Sequence, residues 1–140
     1  MKKYTLDDVK FFNLRTMVEP DGNLVPIESE VDIPFIIKRV FYVYGVKDQN
    51  NRGKHSHHKT EQVLICLNGK IEVLCDNSDK KQKYLLESPQ QALYIPPMIW
   101  DEQNYLTKDS VLLVLCNTVY NINDYIENYD EFKKLKNENK

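Results

Sequence analysis

All the histidines of this chain, His55, His57 and His58, fall within the stretch "RGKHSHHKTEQ" at residues 52–62. With Glu61 close behind, these residue types support two kinds of chemistry. Two imidazoles and a carboxylate can hold a divalent ion such as iron or zinc. A neutral imidazole, with an unperturbed pKa of about 6.5, can instead move protons as a general base near neutral pH. The bland alternative is a polar loop with solvated rings. Extended backbone alternates its side chains, so His55 and His57 share one face, a regular strand adds Glu61 to it, and His58 takes the other. An H-x-H pair opening a strand, with Glu61 behind it and Gly69 at its end, favours a built site over a solvated loop.

The elements that must position these residues read as short strands. "FIIKRVFYVYGV" (35–46), "EQVLICL" (61–67), "KIEVLC" (70–75), "KYLLES" (83–88), "QALYIPP" (91–97) and "SVLLVLC" (110–116) are apolar runs rich in β-branched and aromatic residues. Asn68-Gly69 predicts a tight hairpin with a type I′ turn. "CDNSDKKQ" predicts another turn, and Asp21-Gly22 the turn of an N-terminal edge hairpin. From Asp124, "DYIENYDEFKKLK" sets Tyr125, Tyr129 and Phe132 at helical spacing, with Asp124 and Glu127 placed as a capping box. The expectation is an all-β antiparallel sandwich or barrel with a short C-terminal helix, in one domain over residues 1–140.

Composition narrows the function. The formal net charge of -2 lacks the basic excess of a nucleic-acid-binding domain. No apolar run approaches membrane-spanning length or resembles a signal segment. Cys66, Cys75 and Cys116 are odd in number and sit in apolar runs, which reads as buried reduced thiols. A soluble, cytoplasmic protein with no nucleic-acid or membrane partner is expected.

The spacing H-x-H-x-x-x-E, with Gly69 eight residues later, resembles the first motif of the cupins. "PPMIWD" (96–101) stands where the second motif reads P-x-G-x-x-H, with Met98 in the glycine place and Asp101 in the histidine place. His55, His57, Glu61 and Asp101 are therefore the set open to a metal-dependent, dioxygenase-like cupin. A wider pattern is more specific: "RVFYVYGV…RGKHSHHKTEQVLICLNGKIEV…LYIPPMIWDE…VLLVLCNTVYNINDYIENYDEF". Over nearly the whole chain it resembles the sugar 3,4-ketoisomerases acting on dTDP-4-keto-6-deoxyglucose.

That resemblance implies a cupin-type antiparallel barrel or jelly roll, a homodimer, and catalysis with neither metal nor cofactor. It implies a dTDP-linked 4-keto-6-deoxy sugar as substrate, isomerised on the way to a deoxyamino sugar. His57 is expected as the base at C3 and His55 as the proton relay, with the order open to exchange. Tyr44 would trade protons with the sugar oxygens, and Tyr42 would assist in binding. Arg52 offers a planar fork of donors to a diphosphate. Glu61 would orient an imidazole, Trp100 wall the sugar, and Asp101 lie at the floor. Sheet packing for the tyrosines and Trp100, and solvation for Arg52, are the competing roles. The chain departs from the family where Asp101 replaces a histidine and Asp21-Gly22 replaces Arg-Gly. A non-catalytic nucleotide-sugar-binding cupin is the remaining alternative.

Overall fold

Alternating apolar residues give most strands an inner and an outer face, and the chain buries the inner faces against each other. The computed structural model describes residues 3–47 and 50–138. Among them the strands run β1 (Lys10–Asn13), β2 (Met17–Glu19), β3 (Gly22–Leu24) and β4 (Arg39–Val43). β5 (Asn51–His57), β6 (Gln62–Asn68), β7 (Ile71–Asp76) and β8 (Lys81–Leu86) follow. β9 (Gln91–Ile95), β10 (Trp100–Tyr105), β11 (Val111–Cys116) and β12 (Tyr125–Ile126) precede helix α1 (Tyr129–Glu138).

Two antiparallel sheets face each other, in the orders β1-β9-β6-β11-β4 and β12-β5-β10-β7-β8. Leu64, Cys66, Ile71, Val73, Cys75, Leu93, Leu112 and Val114 meet between them in one core. The opposite parity of the first sheet is covered as well. Val63, Ile65, Ala92 and Leu115 pack beneath Leu14, Ile33 and Phe35 of the N-terminal segment. Burial on both faces explains why β6 reads as a continuous apolar run instead of alternating. Helix α1 covers part of the second sheet's outer face, where Trp100, Ile126 and Phe132 cluster. This is the all-β, cupin-type double sheet with a C-terminal helix.

Two local expectations need correction. Asn68-Gly69 does not close a hairpin, because β6 pairs with β9 and β11 while β7 pairs with β8 and β10. The dipeptide is a corner between sheets. Gly69 has a φ of 81°, and a Cβ there would lie 2.3 Å from the Thr107 hydroxyl oxygen and 2.8 Å from the Ser110 Cα. Close approach, as much as turn conformation, requires glycine here. The helix begins at Tyr129 and not at Asp124. Asn128 caps it, its side-chain oxygen accepting from the Glu131 N–H at 2.9 Å. The Asp21-Gly22 hairpin forms as β2 and β3, and "CDNSDKKQ" turns β7 into β8.

Candidate active site

The histidine strand owes its geometry to one extra residue. β5 runs antiparallel to β10 with His55 opposite Asp101, Gly53 opposite Glu102 and Arg52 opposite Gln103. Lys54 is left over, and Gly53 and Lys54 both adopt positive φ, 83° and 56°. Such a bulge shifts side-chain parity by one. Arg52, three residues before His55, therefore falls on the same face as His55. Directly opposed residues of an antiparallel pair share a face. Arg52, His55, Asp101 and Gln103 thus look toward the space between the sheets, on the side of Cys75 and Val73. Asp101, Gln103 and His57 are buried, His55 is half-buried, and Arg52 stands exposed at the rim.

The ring centroids of His55 and His57 are 5.0 Å apart in a T-shaped arrangement. Tyr125 comes from β12, which pairs with β5 opposite His57. Its ring centroid lies 4.5 Å from His57 and 5.4 Å from His55. The Nδ1 of His55 is 3.1 Å from the Gly53 carbonyl. A carbonyl only accepts, so in the neutral ring Nδ1 carries the hydrogen and the lone pair lies on Nε2. His57 differs: its Nε2 is buried and, among the described residues, has no hydrogen-bond partner. Burial first, then the neighbouring His55, hold the His57 imidazole down at about 3, so it stays neutral. Burial also pushes the Asp101 carboxyl above the usual carboxylate range, against the opposing pull of His55 and of the Gln103 amide, which donates to Oδ1 at 3.2 Å.

A latch holds Tyr125 in place. The Asp124 carboxylate accepts the backbone N–H groups of Lys59 at 2.8 Å and Thr60 at 3.1 Å, and also the Thr60 hydroxyl. The Asp124 carbonyl accepts from the His58 N–H at 2.9 Å. The turn leaving β5 is thereby tied to the segment entering β12. From the other sheet, β4 turns Arg39, Phe41 and Val43 inward. Arg39 lies opposite Cys116, and its Nη2 is 3.5 Å from the Cys116 sulfur.

Several residues expected in the site lie elsewhere. Tyr42 sits opposite Leu113 on the outer parity of β4 and is 64% exposed, while Tyr44 beyond it is 72% exposed. Neither reaches the histidines of this chain, and Tyr125 supplies the tyrosine beside them. Glu61 does not orient an imidazole, because the chain bends at residues 58–60 and breaks the alternation. Gln62 takes the inner place, and Glu61 accepts from the Tyr94 hydroxyl at 2.5 Å and the Asn117 amide at 2.6 Å. Trp100, of opposite parity to Asp101, packs under α1 with its Nε1 donating to Glu102 at 3.1 Å. Asp21 lies exposed at the tip of the β2–β3 hairpin. Among the described residues, no group of His, Cys, Asp and Glu converges as a metal ion requires.

Met98, at the glycine place of the second motif, has a φ of 61°, the left-handed conformation that glycine adopts without strain. Its N–H donates to the His57 carbonyl at 2.8 Å. Sequence reasoning passed over Arg39 and Tyr125. For Arg39 the signal was present: counting alternate residues along β4 places it with Phe41 on the inner face.

Comparison with known proteins bears on the family and the fold. The family described as "FdtA: WxcM-like, C-terminal" matches residues 7–137. The TDP-4-oxo-6-deoxy-alpha-D-glucose-3,4-oxoisomerase of Aneurinibacillus thermoaerophilus is 42% identical over 125 residues, covering 89% of this chain and 90% of that protein. The crystal structure of QdtA, a sugar 3,4-ketoisomerase of Thermoanaerobacterium thermosaccharolyticum in complex with TDP, superposes with a TM-score of 0.92 at 39% identity. That match covers 96% of this chain and 98% of the other. WlaRA of Campylobacter jejuni, a TDP-fucose-3,4-ketoisomerase, gives a TM-score of 0.88 at 37% identity, over 94% of this chain and 97% of its own. A double-sheet scaffold with paired imidazoles on its inner face, matched along nearly its full length, makes this chain a member of the FdtA family of TDP-sugar 3,4-ketoisomerases.

Proposed function

We propose that the inner face of β5 is where a TDP-linked 4-keto-6-deoxyglucose is converted into its 3-keto isomer. The sugar-nucleotide reading has direct support from relatives: a histidine-to-asparagine variant of QdtA holds TDP-4-keto-6-deoxyglucose. Moving a carbonyl from C4 to C3 involves no net redox change. The reaction needs a base at C3, a donor at O4, and a route for the O3 proton.

The observation that carries the assignment is the hydrogen bond fixing the His55 tautomer. With Nδ1 held by Gly53, the Nε2 lone pair of a half-buried ring is free to take the C3 hydrogen. The C–H electron pair forms C3=C4, and the former ketone oxygen accepts a proton to give the enediol. The O3–H proton then leaves, its electron pair forms the C3 carbonyl, and C4 is protonated. Tyr125, in contact with both rings, suits the transfer between O3 and O4. His57, neutral but too weakly basic for the C3 step, serves as a hydrogen-bonding partner to the sugar. The two histidines thus exchange the roles expected from sequence. Arg52 at the rim is placed to meet the diphosphate, with the sugar directed inward.

The finer reading also includes a homodimer in the cytoplasm whose product is aminated to a deoxyamino sugar. The free, buried Cys66, Cys75 and Cys116 suit a reducing compartment. The decisive experiment is incubation with dTDP-4-keto-6-deoxyglucose in deuterium oxide, followed by NMR of the sugar. Loss of the C3 proton and appearance of the 3-keto isomer are expected. His55→Asn should abolish the exchange, whereas His57→Asn should slow it. Exchange that survives in His55→Asn and vanishes in His57→Asn would restore the opposite order.

A further inference from the structure

The proton inventory above leaves one charge without a holder. When C3 loses its hydrogen, negative charge develops on the oxygen at C4 before a proton reaches it. His57 is neutral, and Asp101 can only repel an anion if it ionises. The inner surface carries two arginines at different depths. Arg52 is exposed at the rim, where the proposed function sets the diphosphate. Arg39 is drawn inward on β4, half-buried, with its Nε buried and without a hydrogen-bond partner.

The surroundings of Arg39 suit a cation, and among the described residues no carboxylate pairs with it. Its guanidinium lies 5.6 Å from the ring centroid of Phe41 and 5.7 Å from that of Tyr120. Tyr120 in turn stands 5.8 Å from Tyr125. Its side-chain partners are the Cys116 sulfur, a weak acceptor, at 3.5 Å and Tyr125. Among the described residues, the ion pairs formed by arginine join Arg15 to Glu28 and Asp32, and none engages Arg39. The nearby Asp124 carboxylate is taken up by Lys59 and Thr60. Burial disfavours the charged form of Arg39, but Cys116 and Tyr125 outweigh it, so the guanidinium stays a cation while its Nε lacks a partner among the described residues. The Nε2 of His57 is another buried polar atom without a partner among the described residues. Arg39 also acts electrostatically on His57, after burial and His55, to keep that ring uncharged.

We propose that Arg39 is a catalytic residue whose guanidinium receives the charge developing on the C4 oxygen as the enediolate forms. The proposal rests on the isomerase reading. A fixed donor aimed at developing charge contributes in the transition state more than in substrate binding. No oxidant is involved: the electron pair of the C3–H bond moves into C3=C4, and the carbonyl pair moves onto O4 beside Arg39.

The test uses Arg39→Gln and Arg39→Lys in the full chain, with kcat, the C3 deuterium exchange rate and TDP affinity by calorimetry. Arg39→Gln should lose about 10²–10³-fold in kcat and in exchange. TDP should bind within about twofold of wild type, since uniform binding is not what Arg39 supplies. Arg39→Lys, which keeps the charge but loses the fork, should recover part of the rate, and it covers the case in which the glutamine variant does not fold. A loss of TDP affinity matching the loss of kcat/KM, with kcat unchanged, would reassign Arg39 to the diphosphate and overturn the proposal. Unimpaired kcat in Arg39→Gln beside an active wild type would overturn this proposal alone. A wild-type protein that exchanges nothing would overturn the isomerase reading and this inference with it.

Discussion

Two imidazoles on one strand face experience different electrostatic surroundings, and His57 converts that difference into a pH dependence of stability. In the unfolded chain an imidazole titrates near 6.5, and in the folded protein His57 titrates at about 3. Between those values the unfolded chain holds a proton that the folded one does not. Stability is therefore complete above the unfolded pKa and falls as pH drops through the window, by about 1.4 kcal/mol per pH unit well inside it. Asp101 has the opposite sign, because its raised carboxyl keeps a proton in the folded state to higher pH. Comparison with His57→Asn isolates the histidine. Urea unfolding at pH 6.5, 5.5 and 4.5 should show a shallower pH slope for the variant. Equal slopes would mean that His57 is solvated or charged in the folded protein.

At the scale of elements, the β5 bulge decides which side chains face the space between the sheets. Gly53→Ala probes it: φ is 83°, and a Cβ would lie 3.1 Å from the Asp101 carbonyl and 3.2 Å from its Oδ1. Left-handed strain alone costs about 1 kcal/mol. The carbonyl that fixes the His55 tautomer belongs to the same residue, so kcat should fall by more than the melting temperature alone suggests. A variant with normal kcat and lowered stability would show that the bulge serves folding only. The same irregularities mark where the sequence was legible and where it was not. His55 and His57 share a face because no break separates them, and alternation placed them correctly. The face of Arg52 hinges on an extra residue, and that of Glu61 on a bend at 58–60, and neither shows in a count of alternate positions. Tyr42 and Tyr44 were chosen by resemblance, although their parity opposes that of Arg39. Asn68-Gly69 carries the composition of a hairpin, but turn chemistry does not reveal whether the next strand returns to the same sheet.

For the whole molecule, the strand-rich pattern and the absence of helical periodicity before residue 124 were enough for the architecture, since apolar alternation permits few ways to bury the faces. Tail boundaries were less legible, because Tyr125 continues a helical spacing that tertiary pairing with β5 overrides. The surface also carries a prediction about assembly. Val40 and Tyr42 are exposed on β4, an edge strand, with Tyr44 exposed just beyond it, and Met17, Val18 and Leu24 are exposed on the β2–β3 hairpin. Light scattering should give twice the chain mass of 16.6 kDa, and Tyr42→Lys with Tyr44→Lys should shift the protein toward monomer. A monomeric wild type would leave those tyrosines as plain surface. The packing of Trp100 has a separate, practical consequence. It is the chain's single tryptophan, with Tyr129 at 5.2 Å and Phe132 at 5.7 Å between ring centroids. Its fluorescence therefore reports the docking of α1, the helix separated by two residues from the strand that carries Tyr125. Circular dichroism follows the sheets, so comparing the two signals during refolding times the completion of the candidate site separately from the closure of the barrel. One native residue thus serves as an internal clock for assembly, with no label attached.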